Sequence, residues 1–505
     1  MWLVGAMLVA GAISAMLLRQ DANWDLRNYH FYNAWAFVHD RLGWDLAPAQ
    51  FQTFFNPLLD LPFYWMAAAD WHPRLIAFVV ALPAGIGAYF LAKILLMLFP
   101  VTRGKELWSY ATLAFVTGVT ATASVSLLGS TMNDWPGTAL IMITLWLLLD
   151  RDRRGVAGWR SLAAAGLIAG IASGLKWTNA PYAIGLCAAL VLSCKSRTHA
   201  LRETFGFGIA VAAGVLLSSG SWMWTLYTKF DSPVYPFFND IFRSPWWEPA
   251  RLKDLRFQPQ TLFGWLTFPL RYRDLRLPLL YVGLVAAIAA WLIRGRRGMS
   301  ARTPTDPAAS WRFVLAFCAV SFVIWAALFT VYRYLLPLQL LSGALLIHLM
   351  RLNVPQRWLP AAATAISALA ILATHYPDLG RVNYGQHYFA VSVPHVAPNA
   401  AVLLVADQPM AFVLPFLPAD GRFLGANNNF IRPHMENRLA REITRVVREH
   451  DGPLYALSYP PGYGESVLGA YGVRRVEGGC APVVSNLSPD SLELCRLERT
   501  ALRNE

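Results

Sequence analysis

The chain has 505 residues, of which 56% are hydrophobic and 14% charged, and its mean hydropathy is +0.39. A soluble chain carries about a quarter charged residues, so this composition excludes an ordinary soluble enzyme and points to a polytopic membrane protein. The formal net charge of +13 does not indicate a nucleic-acid partner, because the basic residues cluster in short connections between apolar runs, as membrane orientation requires.

In chain order, apolar runs of about 15–25 residues predict spanning helices over 2–18, 75–99, 108–130, 136–150, 160–175, 180–194, 205–228, 277–293, 311–330, 336–350 and 358–375, eleven in all. The first connection, 19–74, is long. It contains NPLLDLPFYWMAAA (56–69), which is too short to span and carries two prolines and Asp60, so an interfacial or re-entrant helix is expected over 57–69. A second surface helix is expected over 26–41, where Leu26, Tyr29, Tyr32, Trp35 and Ala36 recur at helical spacing.

The connections sort by charge. PVTRGKEL (100–107), RDRRGVAGWR (151–160), CKSRTHALR (194–202), RGRRGMSAR (294–302) and RLNVPQR (351–357) are basic, whereas 19–74, 131–135, 229–276 and 331–335 are longer, more acidic or aromatic. Alternating the two sets places the N-terminus in the cytoplasm and the tail outside it, as in a bacterial inner membrane with a periplasmic tail. Met1-Trp2 offers no basic n-region, so the first run is read as a span rather than a cleaved signal.

The tail, 378–505, is a different material. AVLLVAD (401–407), GRFLGA (421–426) and PLYALSY (453–459) read as short buried strands, and ENRLAREITRVVREH (436–450) as an amphipathic helix. A small α/β domain is expected. PPGYGESVLGAYG (460–472) has neither the glycine spacing nor the lysine of a P-loop. The expected division is therefore a transmembrane domain over 1–377 and an extracytoplasmic domain over 378–505. Cys187, Cys194 and Cys318 lie in apolar runs and read as packing residues. Cys480 and Cys495, in the polar tail, are expected to form a disulfide if the tail lies outside the cytoplasm.

Polar groups of the outer set collect at helix ends. Asp21, Asp25, Tyr29 and His30 follow the first span; Asn133 and Asp134 occupy a short turn; Lys176 and Asn179 separate two short runs; Arg333 stands between Tyr332 and Tyr334. Each has an ordinary alternative. The aspartates could cap helices, Lys176 could snorkel, Arg333 could anchor to headgroups, and the aromatics could form an interfacial belt. His30 lacks a second histidine or cysteine at metal-ligand spacing. Together, though, ionisable groups at one membrane face suit a lined cavity. Fixed cations can neutralise a leaving phosphate while a carboxylate takes a proton from an acceptor hydroxyl.

DLRNYHFYNA (25–34), NPLLDLPFYW (56–65), NDWPGTALIM (133–142), GLKWTNAP (174–181), SPVYPFFNDIFRSP (232–245) and RYLLPLQLL (333–341) resemble, in that order, segments of the GT-C superfamily of polyprenyl-phosphate-sugar-dependent membrane glycosyltransferases. That superfamily includes protein O-mannosyltransferases, the lipid A aminoarabinose transferase and mycobacterial mannosyl- and arabinosyltransferases. The resemblance covers about residues 1–345. Many members carry an adjacent Asp-Glu pair in the first loop, whereas here Asp21 and Asp25 stand apart.

The resemblance implies a GT-C-like fold and transfer of a sugar from a polyprenyl-phosphate donor to a hydroxyl on a glycan, lipid or protein acceptor. Asp25 would be the general base, and Lys176 and Arg333 would grip the donor phosphate. Asp134 would orient acceptor or sugar, with Tyr29, His30, Asn133 and Tyr332 lining the site. No cofactor is certain, and a divalent ion stays open because members differ in using one. Two other classes compete. A lipid-linked glycan ligase or polymerase would use a late loop such as 229–276, with Arg243, Arg251, Lys253 and Arg256. A transporter would show inverted repeats and mid-membrane polar breaks, neither of which is seen.

Overall fold

The computed structural model of the chain describes residues 1–99, 106–154, 158–193, 196–250, 257–267, 272–294, 307–459, 462–488 and 490–500. Cys194, Arg251, Lys253, Arg256 and parts of the basic connections lie outside the described residues.

A helical bundle carries the first three-quarters of the chain. Helix α1 (Trp2–Leu17) leads into the first connection, which holds a π-helical turn (Leu26–His30), α2 (Phe31–Val38), a 3-10 turn (Gln50–Phe54) and α3 (Leu61–Ala68). The bundle continues with α4 (Pro73–Leu98), α5 (Glu106–Val119), α6 (Thr122–Ser126), α7 (Asp134–Arg154), α8 (Trp159–Leu175), α9 (Ala180–Ser193) and α10 (Arg197–Phe230). The short helices α11 (Asn239–Phe242) and α12 (Leu262–Thr267) precede α13 (Arg276–Arg294), α14 (Pro307–Leu328), α15 (Leu336–Asn353) and α16 (Leu359–Leu372). Among the described residues, four stretches are long and apolar enough to cross a membrane: Pro73–Leu98, Thr198–Phe230, Ala309–Leu328 and Tyr332–Asn353. Exposed Leu8, Val9 and Met16 on α1, Leu216 and Leu217 on α10, and Val282 and Val285 on α13 leave apolar surface that suits lipid contact.

The expected span over 108–130 is two helices, α5 and α6, broken at Thr120–Ala121. A buried pair from the start of α13 meets the break. Asp274 accepts from the Thr122 backbone N–H at 3.0 Å, and Arg276 Nε donates to the Thr117 carbonyl at 2.8 Å. The polar groups freed by the break are thus satisfied.

Helix α8 packs on α10 through small residues. A Cβ on Gly170 would drive into the Val211 carbonyl, and one on Gly214 into the Leu167 carbonyl. Only glycine allows that approach, the pattern by which helices associate in lipid. It sets the direction in which α8 delivers the residue after it, Lys176.

The tail forms a six-stranded mixed sheet in the order β1-β5-β6-β4-β2-β3. The strands are β1 (Val391–Ser392), β2 (Ala401–Val405), β3 (Arg422–Asn427), β4 (Leu454–Ser458), β5 (Val473–Ser485) and β6 (Leu492–Arg499). Strands β3, β2 and β4 are parallel, and α17 (Arg438–Glu449) crosses from β3 to β4. The antiparallel β5–β6 pair sets Cys480 opposite Cys495, and the two are disulfide-bonded.

The first connection belongs to the core of this tail. Leu26, Tyr29, Phe31, Tyr32 and Trp35 share one buried cluster with Tyr388, Phe412 and Phe423. The expected surface helix over 26–41 is therefore enclosed rather than laid on a membrane. Residues 28–36 are all buried because the tail covers the face that a bilayer surface would otherwise take. Leu46 extends the sheet beside Leu424, and Arg41, paired with Asp45, donates to the carbonyls of Ala419 and Gly421. The 57–69 helix begins later than expected, at Leu61, and keeps Trp65 exposed while burying Phe63 and Met66.

Candidate functional site

Four chain segments, joined by Asp60 at the start of α3, converge at one end of the bundle. The π turn presents Asp25 at its start, where Asn23 Oδ1 accepts from the Leu26 N–H at 2.9 Å. A π turn is wider than an α turn, so Asp25 and His30 lie one turn apart; such turns recur at functional sites. Asn133 adopts φ +58°, a conformation asparagine tolerates, and Asp134 then opens α7. Lys176 follows α8 in extended conformation before the 3-10 turn Trp177–Asn179. Arg333 sits in the 3-10 turn Tyr332–Leu335 that starts α15.

These side chains form one alternating string of charge. Arg333 Nη2 donates to Asp25 Oδ2 at 2.5 Å, and its Nη1 reaches Asp134 Oδ2 at 3.4 Å. Lys176 Nζ donates to Asp134 Oδ1 at 2.6 Å and to the Met132 carbonyl at 2.6 Å. The Tyr334 ring lies 5.1 Å from the Arg333 guanidinium and 5.3 Å from Lys176 Nζ, within cation–π range. The side chains of Arg333, Lys176, Asp25 and Asp134 keep 20%, 15%, 13% and 5% of their surface exposed. The string is enclosed but reachable, which a purely structural ion network does not need.

A second polar group adjoins the first. His30 Nδ1 lies 2.6 Å from Asp60 Oδ1, and Asn133 Nδ2 donates to the same oxygen at 2.5 Å. The Tyr29 hydroxyl donates to Asp25 Oδ2 at 3.4 Å, and its ring packs 4.1 Å from the His30 ring.

Burial pulls the Asp25 carboxyl upward, but Arg333, with His30 and Lys176 behind it, outweighs that and holds it below its ordinary range. Asp60 goes the other way, raised because burial exceeds what His30 and Asn133 return. Burial and the Asp25 charge push the Tyr29 hydroxyl well up, so it stays a donor.

Asp25, Asp134, Lys176, Arg333, Tyr29, His30 and Asn133 are thus brought together. Tyr332 is not. It is buried and stacks on Tyr272 at 4.2 Å, beside the Asp274–Arg276 pair, because successive residues of the turn point apart. Tyr334 takes the place expected of it. Asp21 ties the connection to the 130–134 turn, accepting from the Thr131 N–H and hydroxyl, both at 2.8 Å. Sequence reasoning passed over Asp60 as a partner. Its signal was a carboxylate inside an apolar run, which is costly without one.

Among the described residues, one group has metal-ligand proximity: Cys480, Glu493 and Cys495. Its sulfurs are bonded to each other, and a disulfide offers no thiolate, so these residues do not fit a metal.

No protein-family model matches the chain, and no curated protein matches it. Among solved structures it is similar to ArnT from Cupriavidus metallidurans in the apo state, at 12% identity, with 98% of this chain and 97% of that chain covered and a TM-score of 0.47. It is also similar to ArnT from Cupriavidus metallidurans bound to undecaprenyl phosphate, at 12% identity, with the same two coverages and a TM-score of 0.45.

Proposed function

We propose that the chain is an integral membrane glycosyltransferase of the GT-C type, moving a hexosyl or pentosyl unit from a polyprenyl-phosphate donor to an acceptor hydroxyl. The observation that carries this reading is the Asp25–Arg333–Asp134–Lys176 string, which combines two anion-holding cations with a carboxylate at hydrogen-bond distance. In this reading residues 1–377 form the transferase domain and 378–505 an extracytoplasmic domain over the site, in a bacterial inner membrane with the N-terminus cytoplasmic. The basic connections and the tail disulfide support that orientation.

The donor phosphate takes Arg333 and Lys176, releasing Asp25 from its ion pair. Charge builds on the phosphate as the anomeric bond breaks, and the two cations, already oriented by Tyr334 and Asp134, stabilise it without reorganisation. Asp25 accepts the proton from the acceptor hydroxyl. Asp134 holds Lys176 in place and orients acceptor or sugar. Tyr29, His30 and Asn133 complete the wall.

The test uses purified protein, undecaprenyl-phosphate-linked mannose, arabinose and aminoarabinose, and membrane-extracted acceptors. Wild type is expected to transfer one of the sugars, and Asp25→Asn to lower transfer by about 10²–10⁴-fold. Unchanged transfer in Asp25→Asn removes the base assignment. An accessibility map placing 131–135 on the cytoplasmic side removes the orientation.

A further inference from the structure

No proton step in the reaction as described uses the His30–Asp60 pair, yet it is built like a proton carrier. Both side chains are almost fully enclosed, 3% and 4% exposed. Asp60 and the amide of Asn133 occupy the Nδ1 side of the ring. The other nitrogen, Nε2, is buried and has no hydrogen-bond partner among the described residues. A buried unpaired ring nitrogen costs free energy, so a structural histidine would be expected to find it a partner. A carboxylate on Nδ1 selects the tautomer with the proton there, which leaves Nε2 as a free acceptor and stabilises the imidazolium once it forms.

Asp25 needs such a neighbour. When Arg333 returns to Asp25 after transfer, the ion pair favours the carboxylate, so a captured proton must pass on. The imidazole stands one π turn along the chain from Asp25, and Tyr29 links them: its hydroxyl donates to Asp25 and its ring packs 4.1 Å from the imidazole.

We propose that His30 and Asp60 form a proton relay behind Asp25, in which His30 Nε2 receives the acceptor's proton and Asp60 holds the resulting imidazolium. The inference rests on the transfer reading above. The acceptor O–H bond breaks as its oxygen bonds to the anomeric carbon. The bond from that carbon to the phosphate oxygen breaks, and its electron pair leaves with the phosphate. The proton goes to Asp25 and from there to His30 Nε2, which returns it to water when product leaves. The groups against His30 are Tyr29 on its own turn, Asp60 before α3 and the amide of Asn133 before α7; beyond them Arg333 pairs with Asp25 and Lys176 with Asp134. Of these, Asp60 alone makes a carboxylate contact with the ring in the structure.

Two measurements on the full-length protein in nanodiscs test this. The first needs no ligand: nitrogen NMR of ¹⁵N-histidine-labelled protein, with His30 assigned by comparison with His30→Gln. The Nδ1–H tautomer with an unprotonated Nε2 is expected in wild type, with Asp60→Asn shifting the population toward Nε2–H. A protonated Nε2 in neutral wild type overturns the relay.

The second is the pH profile of transfer from the undecaprenyl-phosphate sugar that wild type consumes. Wild type is expected to lose rate toward acid within the pH range of about 5–8 where imidazoles charge. His30→Gln should abolish that acid limb and lower the plateau about 10²-fold. Asp60→Asn, which preserves shape should His30→Gln not fold, should move the limb to lower pH, because an amide no longer favours the imidazolium. An unchanged profile in both variants overturns the relay and leaves transfer standing, whereas wild type consuming none of the three sugars overturns the transfer reading itself.

Discussion

Arg333 is the residue on which the charge balance of the site turns. Asp25 and Asp134 supply two negative charges, and Arg333 and Lys176 two positive ones, so the string sums to zero. Replacing Arg333 by Gln leaves the string one charge negative, just where an anion is proposed to bind. A phosphate oxygen about 4 Å from the lost charge forfeits about 4 kcal/mol at an effective dielectric near 20, or about 10³-fold in affinity. The same change breaks an enclosed ion pair, which by itself costs about 3–5 kcal/mol of stability. The two effects separate in the double variant Arg333→Gln/Asp25→Asn, which restores neutrality. It is expected to regain the melting temperature lost in Arg333→Gln and still fail to bind undecaprenyl phosphate, measured by scintillation proximity in nanodiscs at fixed ionic strength. Binding by the double variant within about threefold of wild type, a difference under 1 kcal/mol, would refute the reasoning: Arg333 would then be only a counter-ion for Asp25.

Other expectations follow from the same geometry. Because the folded-state value of Asp25 is lowered, its ionised form adds stability that is complete above the unfolded value of about 3.9 and is lost as pH falls through the folded value. Asp25→Asn should therefore flatten the fall in melting temperature at the acid end, below about pH 4, and an undiminished fall would show that other carboxylates control it. Cys480→Ser opens a link between residues 15 apart in sequence, worth about 3 kcal/mol on chain-entropy grounds. The melting temperature of the tail should drop while sugar transfer at low temperature persists; an unchanged melting temperature counts against a structural role. Gly170→Leu should prevent accumulation of folded protein, since its side chain meets the α10 backbone, whereas Gly208→Leu, with open space around that position, should accumulate normally. Equal yields on purification would remove the close approach of α8 to α10.

The period and length of apolar runs made most of the bundle legible. Each predicted run contains a helix, including the short stretches 160–175 and 180–194. The interruption at Thr120 was not legible, because the residues that satisfy it, Asp274 and Arg276, lie about 150 positions later. In the tail, β2, β3 and β4 read as short apolar strands, but β5 did not. Its exposed, charged sequence, VRRVEGGCAPVVS, shows no alternation because most of it packs against one neighbour only. At the site, the ionisable residues at helix ends drew attention one by one, and the Asp25–Arg333 partnership spans 308 positions that no local pattern connects. Tyr332 and Tyr334 were indistinguishable in sequence; only the 3-10 turn decides which one faces the cations.

The enclosure of the first connection alters how the acid should be thought of. Asp25 belongs to a turn whose neighbouring residues Leu26, Tyr29, Phe31, Tyr32 and Trp35 are buried in the same cluster as the tail's Tyr388, Phe412 and Phe423. Gln20 pairs with Val382, and Gln20 Nε2 donates to the Tyr388 carbonyl at 2.8 Å, so the tail grips the chain on the N-terminal side of Asp25. Arg41, Asp45 and Leu46 grip it on the other side. The cations Lys176 and Arg333, by contrast, come from breaks in the bundle and are positioned by helix packing. Acid and cations therefore rest on two different supports, tied together through Asp21 with Thr131 and Asp60 with Asn133, and directly through the Asp25–Arg333 contact. An anion that takes Arg333 removes the direct contact between Asp25 and the cations. In the proposed transfer, donor binding and release of Asp25 are one event, and the tail's hold on residues 20–46 limits how far the acid can travel.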